Sequence, residues 1–124
     1  MNGDLKPYAE LLSSFDKSLI HQVRDEGDLV KIFTSFLLGE SMDYLTLYLF
    51  EEDGEVYLTD ANNIYMVMDD YYSIDPHSLE GIALEVGLGF DACRFYKQTS
   101  LETLKEDLIR FGMVIEGVIE LERR

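Results

Sequence analysis

The chain has 124 residues, 47% of them hydrophobic, which suits one globular domain that buries a core without disulfides or metals. Ten Lys and Arg stand against 25 Asp and Glu, so the formal charge is −15; phosphate backbones and anionic lipid surfaces are repelled, and direct nucleic-acid binding is not expected. A single cysteine, Cys93, excludes an intramolecular disulfide and fits a reducing compartment. The first residues, MNGDLKPYAELL, lack the basic region and apolar core of a signal peptide, and no stretch is long enough to span a bilayer, so the expected location is the cytoplasm.

In chain order, Tyr8, Leu11, Leu12, Phe15, Leu19, Ile20 and Val23 recur at three- and four-residue intervals and predict one helix with a buried stripe. Asp4 or Lys6 precedes it, and Pro7 suits its first turn. The acidic cluster Asp25-Glu26-Gly27-Asp28 ends it. His21, near that end, reads as a helix-terminus cation rather than a catalytic base, because nothing at helical spacing supplies a partner. Leu29 to Leu38 then reads as a strand, with Val30, Ile32, Phe36 and Leu38 on one face.

The stretch from Asp43 to Asp60 is the clearest local signal. Asp53-Gly54 lies between two runs rich in aromatic, β-branched and leucine residues, and a type I′ turn there needs φ > 0 at both positions. The turn sets Leu49 opposite Leu58, Phe50 opposite Tyr57, Tyr48 opposite Thr59 and Leu47 opposite Asp60. Leu45, Leu47, Leu49 and Leu58 then share an apolar face with Val30 and Ile32. Tyr44, Thr46, Tyr48, Phe50, Tyr57 and Thr59 share a mixed one with Phe33, Ser35 and Leu37, to be covered by a helix, loop or second subunit or left open for binding.

The strand ends Leu58-Thr59-Asp60 and continues Ala61-Asn62-Asn63 into the short helical segment IYMVMDDYY. A strand, a turn, a second strand ending Leu-Thr-Asp and a short helix resemble the bacterial and phage domain of unknown function catalogued as number 1828, over roughly residues 28–121. That resemblance implies an α+β domain without an assigned reaction. Where that family has a Thr-Asp-x-Gly turn, this chain has Thr59-Asp60-Ala61-Asn62, and Asn62 or Asn63 can take positive φ in place of glycine. Asp60 itself reads as the cap of the following helix, or alternatively as a metal ligand or general base.

Asp69, Asp70, Asp75 and His77 are ligand-type residues, but their spacing matches no strong metal site and reads as a solvated loop beside Tyr71 and Tyr72. Ser78 to Gly87 predicts a short helix burying Leu79, Ile82, Ala83 and Val86, and Gly87-Leu88-Gly89-Phe90 a turn. Asp91 to Lys97 predicts a fourth strand, with Cys93 and Phe95 on one face and Arg94 and Tyr96 on the other. Cys93 reads as a buried apolar residue; as a nucleophile it would need His77 or His21 beside it. Thr99 or Ser100 caps a long helix from near Leu101, whose stripe Leu101, Leu104, Leu108, Phe111, Ile115, Val118 and Glu122 should cross the leucine face. Gly112 and Gly117 would admit a neighbouring backbone, such as that of a second copy.

The expected fold is α+β, an antiparallel sheet of about four strands packed against N- and C-terminal helices in a single domain spanning 1–124. No enzyme signature is present: no P-loop, no G-x-S-x-G elbow, no HExxH, no paired CxxC and no internal repeat, and the spacing of Glu102, Lys105 and Glu106 does not make a nuclease core. The reading is a non-catalytic module that binds a basic protein partner without a cofactor, as an inhibitor encoded by a phage or mobile element would. Glu51, Glu52, Asp53 and Glu55, with Asp69, Asp70, Asp75, Tyr71 and Tyr72, are the candidate contacts. The alternatives are a metal-dependent hydrolase using Asp60 with Asp69 or Asp70, and a homodimeric structural protein.

Overall fold

A computed structural model describes residues 5–122, the side chain of residue 122 excepted. Asp4 and the side chain of Glu122, invoked above as a cap and as the end of a stripe, lie outside that description. In chain order the described elements are α1 (Lys6–Ser13), β1 (Ile20–Asp25), β2 (Leu29–Leu37), a 3-10 turn (Gly39–Ser41), β3 (Tyr44–Glu52), β4 (Glu55–Thr59), α2 (Asn63–Tyr72), α3 (Pro76–Val86), β5 (Gly89–Asp91), β6 (Arg94–Thr99) and α4 (Leu104–Glu122). The strands form one antiparallel sheet in the order β1-β2-β3-β4-β6-β5.

The central hairpin has the expected register. Leu49 faces Leu58, Phe50 faces Tyr57 and Tyr48 faces Thr59, and both turn residues are left-handed, Asp53 at φ 52° and Gly54 at φ 80°. Leu47 does not pair with Asp60, because the ladder stops at Thr59 and the Asp60 N–H turns to the Phe95 carbonyl at 3.3 Å. Val30, Ile32, Leu45, Leu47, Leu49 and Leu58 are all fully buried. They share one core with Ile64 and Met68 of α2, Leu79 and Ile82 of α3 and Leu12 of α1. The last helix completes it with Leu104, Leu108, Phe111, Val114, Ile115 and Val118. The expected crossing of the leucine face by the last helix is therefore present.

Three further expectations are corrected. The N-terminal helix stops at Ser13, and Ile20–Asp25 is an edge strand. The Ser13 and Ser14 hydroxyls donate to helical carbonyls at Ala9 and Leu11, and the Asp16 carboxylate takes the Ser18 N–H at 2.8 Å. That local turn ends the helix, and the ladder of Val23, Arg24 and Asp25 with β2 outweighs a periodicity that β-branched Ile20 and Val23 support weakly. His21 is consequently a strand residue at an irregularity of the β1–β2 ladder.

The second correction is the strand count, six in place of about four. Gly89 and Phe90 belong to β5, and its turn into β6 uses Ala92 at φ 51° and Cys93 at φ 61°. Two non-glycine residues in the left-handed region leave no sequence signal for a hairpin. Cys93 therefore sits in a turn and not on the alternating face of a strand. Thirdly, α4 begins at Leu104, three residues after the expected start, because the Ser100 hydroxyl accepts the Thr103 N–H and holds the chain in a turn.

Gly112 and Gly117 face neighbours within the chain. A Cβ on Gly112 would lie 3.1 Å from the Phe36 ring, and one on Gly117 would lie 3.0 Å from Ile82. Phe36, half-buried, thus reaches the core across α4. A second constraint on that helix is charged. Asp107, 2% exposed, accepts from the hydroxyls of Thr99 at 2.8 Å and Thr103 at 2.9 Å, with Lys97 at 3.5 Å and Arg110 at 3.7 Å. Arg110 also donates to the Val86 carbonyl at the end of α3, at 2.7 Å.

Removing Asp107 would leave the inward-facing Arg110 Nε without its counter-charge and the buried Thr99 hydroxyl without its acceptor. Asp107→Ala should therefore destabilise the fold by about 3 kcal/mol in urea unfolding; a loss below about 1 kcal/mol, the size expected of an exposed pair, would refute the assignment.

Candidate functional site

The chain has two kinds of sheet surface, and only one of them is covered. The positions that alternate with the leucines carry no buried residue: Tyr44 is 46% exposed, Tyr96 41% and Leu37 41%, and Phe33, Tyr48, Phe50 and Tyr57 are half-buried. The mixed face of the sheet is thus open. The register explains what it displays. One row of directly opposed residues crosses all six strands, Arg24–Lys31–Tyr48–Thr59–Tyr96–Gly89, and the next holds Leu29, Phe50, Tyr57 and Gln98.

At the β1–β2 end the aromatic face carries cations. Arg24 and Lys31 lie 5.4 and 5.3 Å from the centre of the Phe33 ring, and Lys31 lies 5.9 Å from that of Tyr48. His21 stands edge-on to Tyr44 with ring centres 4.4 Å apart, its Nδ1 3.5 Å from the Ser35 hydroxyl. At the other end lies a groove of about 570 Å³ lined by Phe50, Tyr57, Tyr96, Glu52, Asp91 and Arg94. Phe50 and Tyr57 stack at 5.7 Å with 24° between their planes. Tyr96 lies flat over β5, where a Cβ on Gly89 would meet its ring.

The acidic residues singled out from sequence fall into two separate groups. Glu51, Glu52, Asp53 and Glu55 form the tip of the β3–β4 hairpin. Asp69, Asp70, Tyr71 and Tyr72 end α2, which is tied to the opposite end of β3: the Thr46 N–H donates to Asn63 Oδ1 at 3.0 Å, and the Glu40 N–H to the Tyr72 hydroxyl at 3.0 Å. Nine residues of strand at about 3.3 Å each separate the two, so the groups do not make one surface. Two of the acids already have structural partners. Asp69 accepts the Ile74 N–H at 2.7 Å, and Asp75 caps α3 by accepting the His77 N–H at 3.1 Å. Asp70 and Tyr71 are exposed, Tyr71 at 54%.

Asp60 is fully buried. Its Oδ1 accepts from the N–H groups of Phe95 at 2.8 Å and Asn62 at 3.3 Å, and its Oδ2 from that of Ile64 at 3.0 Å. The capping reading thus has its hydrogen bond, to Ile64 in the first turn of α2. The chain enters that helix through Ala61 at φ 47° and Asn62 at φ 71°, so Asn62 does take the left-handed conformation that the absent glycine would have supplied. Of the carboxylates of the hydrolase alternative, Asp60 and Asp69 are turned to their own backbone, and Asp70 is exposed at the end of α2. Among the described residues no three His, Cys, Asp or Glu side chains gather as a metal site would require.

Cys93, half-buried, lies in the turn before β6, whereas His21 is on β1 at the far edge of the sheet. About four strand spacings of 4.8 Å separate them, which removes His21 as a base for that thiol. Sequence reasoning missed the buried Asp107 group, whose partners Lys97 and Thr99 on β6 and Thr103 in the following turn meet a residue of α4. It also missed the groove, because β5 and the flat Tyr96 ring have no signal beyond Gly89. Comparison with family models, with curated proteins and with solved structures found no match.

The buried carboxylate has a pH signature. Burial outweighs the three N–H bonds and pushes the Asp60 carboxyl up to about 6, from the ordinary 3.8. Between those values the folded chain holds a proton that the unfolded chain has released, so this contribution to stability is complete at low pH and lost as pH rises through about 6. From about pH 7.5 to about pH 5, wild type should gain about 1–2 kcal/mol over Asp60→Asn in denaturant unfolding. Parallel pH profiles for the two proteins would contradict it.

Proposed function

We propose that this protein works without catalysis, by docking a protein partner on the open face of its sheet, with the acidic hairpin tip at the rim of the contact. The observation that carries this reading is the placement of the helices. The core they form lies on the leucine face, and the opposite face, rich in Phe and Tyr, is left in water. Aromatic side chains on a rigid sheet lose little conformational freedom on binding and supply large contact area, the property that enriches them at interfaces.

The charge of −15 favours a basic partner, since opposite fields speed encounter and disfavour wrong partners. A protein that normally holds nucleic acid is the natural object of such a surface. An inhibitor of this kind belongs with phages and mobile elements, the setting that the resemblance of the Thr59-Asp60 turn to the domain of unknown function also suggests. The hairpin tip is the acidic group that borders the open face; Asp70 and Tyr71 would make a second, weaker contact.

In capture of basic proteins from a lysate onto the immobilised chain, Tyr48→Ser combined with Tyr57→Ser should weaken binding to the retained partner by about tenfold or more, while the variant still unfolds in one cooperative transition. Amide replacement of Glu51, Glu52, Asp53 and Glu55 should lower the rate of association and its salt dependence. Asp69 and Asp75 are unsuitable for the same test because both hold backbone N–H groups. Unchanged capture by the double tyrosine variant would remove the open face from the proposal.

A further inference from the structure

The groove over β3, β4, β6 and β5 has a more specific chemistry than the rest of the open face. Phe50, Tyr57 and Tyr96 form a bent line across three strands, since Tyr57 pairs with Phe50 on one side and on the other with Gln98, two residues from Tyr96 on the same face. Ring faces attract cations through their quadrupoles, and a planar guanidinium both stacks on them and binds a carboxylate through two parallel hydrogen bonds. Two carboxylates, Glu52 and Asp91, line the same groove.

Those two carboxylates are in different states. Asp91 is engaged by Arg94, whose Nη2 lies 3.9 Å from Oδ2 and whose Nε donates to the Asp91 carbonyl at 3.5 Å. Arg94 is thereby held at the β5–β6 turn. Glu52, at the opposite end, has no cationic partner among the described residues and is paired directly across the hairpin with another acid, Glu55. Like charges placed opposite each other on a sheet repel. Glu55 receives the Gln98 side-chain amide at 2.6 Å, a neutral donor that leaves the charge in place.

Resting on the docking role of the open face, we propose that this groove receives an arginine of an extended segment in the protein partner. Its guanidinium lies on the Phe50, Tyr57 and Tyr96 rings and pairs with Glu52. Charge decides between this occupant and its rivals. A second copy brings another −15 to the same surface, and a single-stranded nucleic acid needs a cationic track along its backbone, whereas the groove's own Arg94 is paired with Asp91 and Arg24 and Lys31 lie over Phe33, toward the β1 edge. An arginine-bearing segment is drawn in by the field that repels both.

The test is calorimetric titration of the intact chain with a short peptide alternating arginine and serine, and with the same peptide carrying citrulline, which keeps the shape and removes the charge. Saturable binding of the arginine peptide is expected, about tenfold weaker for citrulline and for Tyr57→Leu. Glu52→Gln should weaken it several-fold, and Glu85→Gln, exposed on α3 on the covered side of the sheet, should leave it unchanged. Tyr96→Leu repeats the ring test if Tyr57→Leu fails to fold.

Equal affinity for the two peptides, or equal losses in Glu52→Gln and Glu85→Gln, would overturn the inference, as would preferential binding of an oligothymidylate. So would a doubled mass in sedimentation that Tyr57→Leu returns to the monomer. Failure here is distinct from failure of the docking role: open-face variants that abolish partner capture while the arginine peptide does not bind sink only the arginine site. Capture that survives those variants sinks the docking role itself.

Discussion

The type I′ turn at Asp53-Gly54 is the constraint on which the rest depends. Side chains along a strand alternate, so one residue of slip in the β3–β4 hairpin would exchange its faces, turning Leu45, Leu47 and Leu49 outward and the tyrosines inward. Two left-handed residues in succession hold the register that prevents it. The neighbouring strands inherit that alignment, β2 through Val30 opposite Leu49 and β6 through Lys97 opposite Leu58. The helices then have one greasy side to cover, and the open aromatic face is what remains.

Much of this is legible in the sequence because the hairpin is local and its residues agree with one another. Turn chemistry, alternation and β-propensity all give the same register, and the leucine stripe of α4 has the matching helical period. Elements whose cause is distant are not legible. Ile20–Asp25 carries a helical pattern and becomes a strand because β2 offers an edge to pair with. The β5–β6 hairpin is hidden by Ala92 and Cys93, which adopt φ values usually left to glycine and asparagine. Asp60 was recognisable as a cap, but its bond to Phe95, thirty-five residues on, and hence its complete burial, was not.

The candidate contacts show the same division between local and distant causes. Acidity is visible from composition, yet it does not define a surface, since the hairpin tip and the end of α2 sit at opposite ends of β3 and two of the carboxylates serve their own backbone. Aromatic alternation is equally visible in the strands. Which side the helices would take is a tertiary matter, settled by the leucines. The groove needs all of this together: a register that aligns Phe50, Tyr57 and Tyr96, a glycine at position 89 that lets one ring lie flat, and an uncompensated glutamate at the hairpin end.

The sheet does not close on itself, and its two rims differ. On one side it ends in β5, three residues long and too short to template another strand; on the other it ends in β1, whose ladder is interrupted beside His21 and whose outer residues include Arg24 and Asp25. An open aromatic face bounded by two exposed edges is the geometry from which stacked aggregates grow. Short length, a broken ladder and mutual repulsion between like-charged molecules are the safeguards here. The surplus of acids thus also acts as a colloidal device, and substitutions that neutralise it will show first as lost solubility, well before the fold itself gives way.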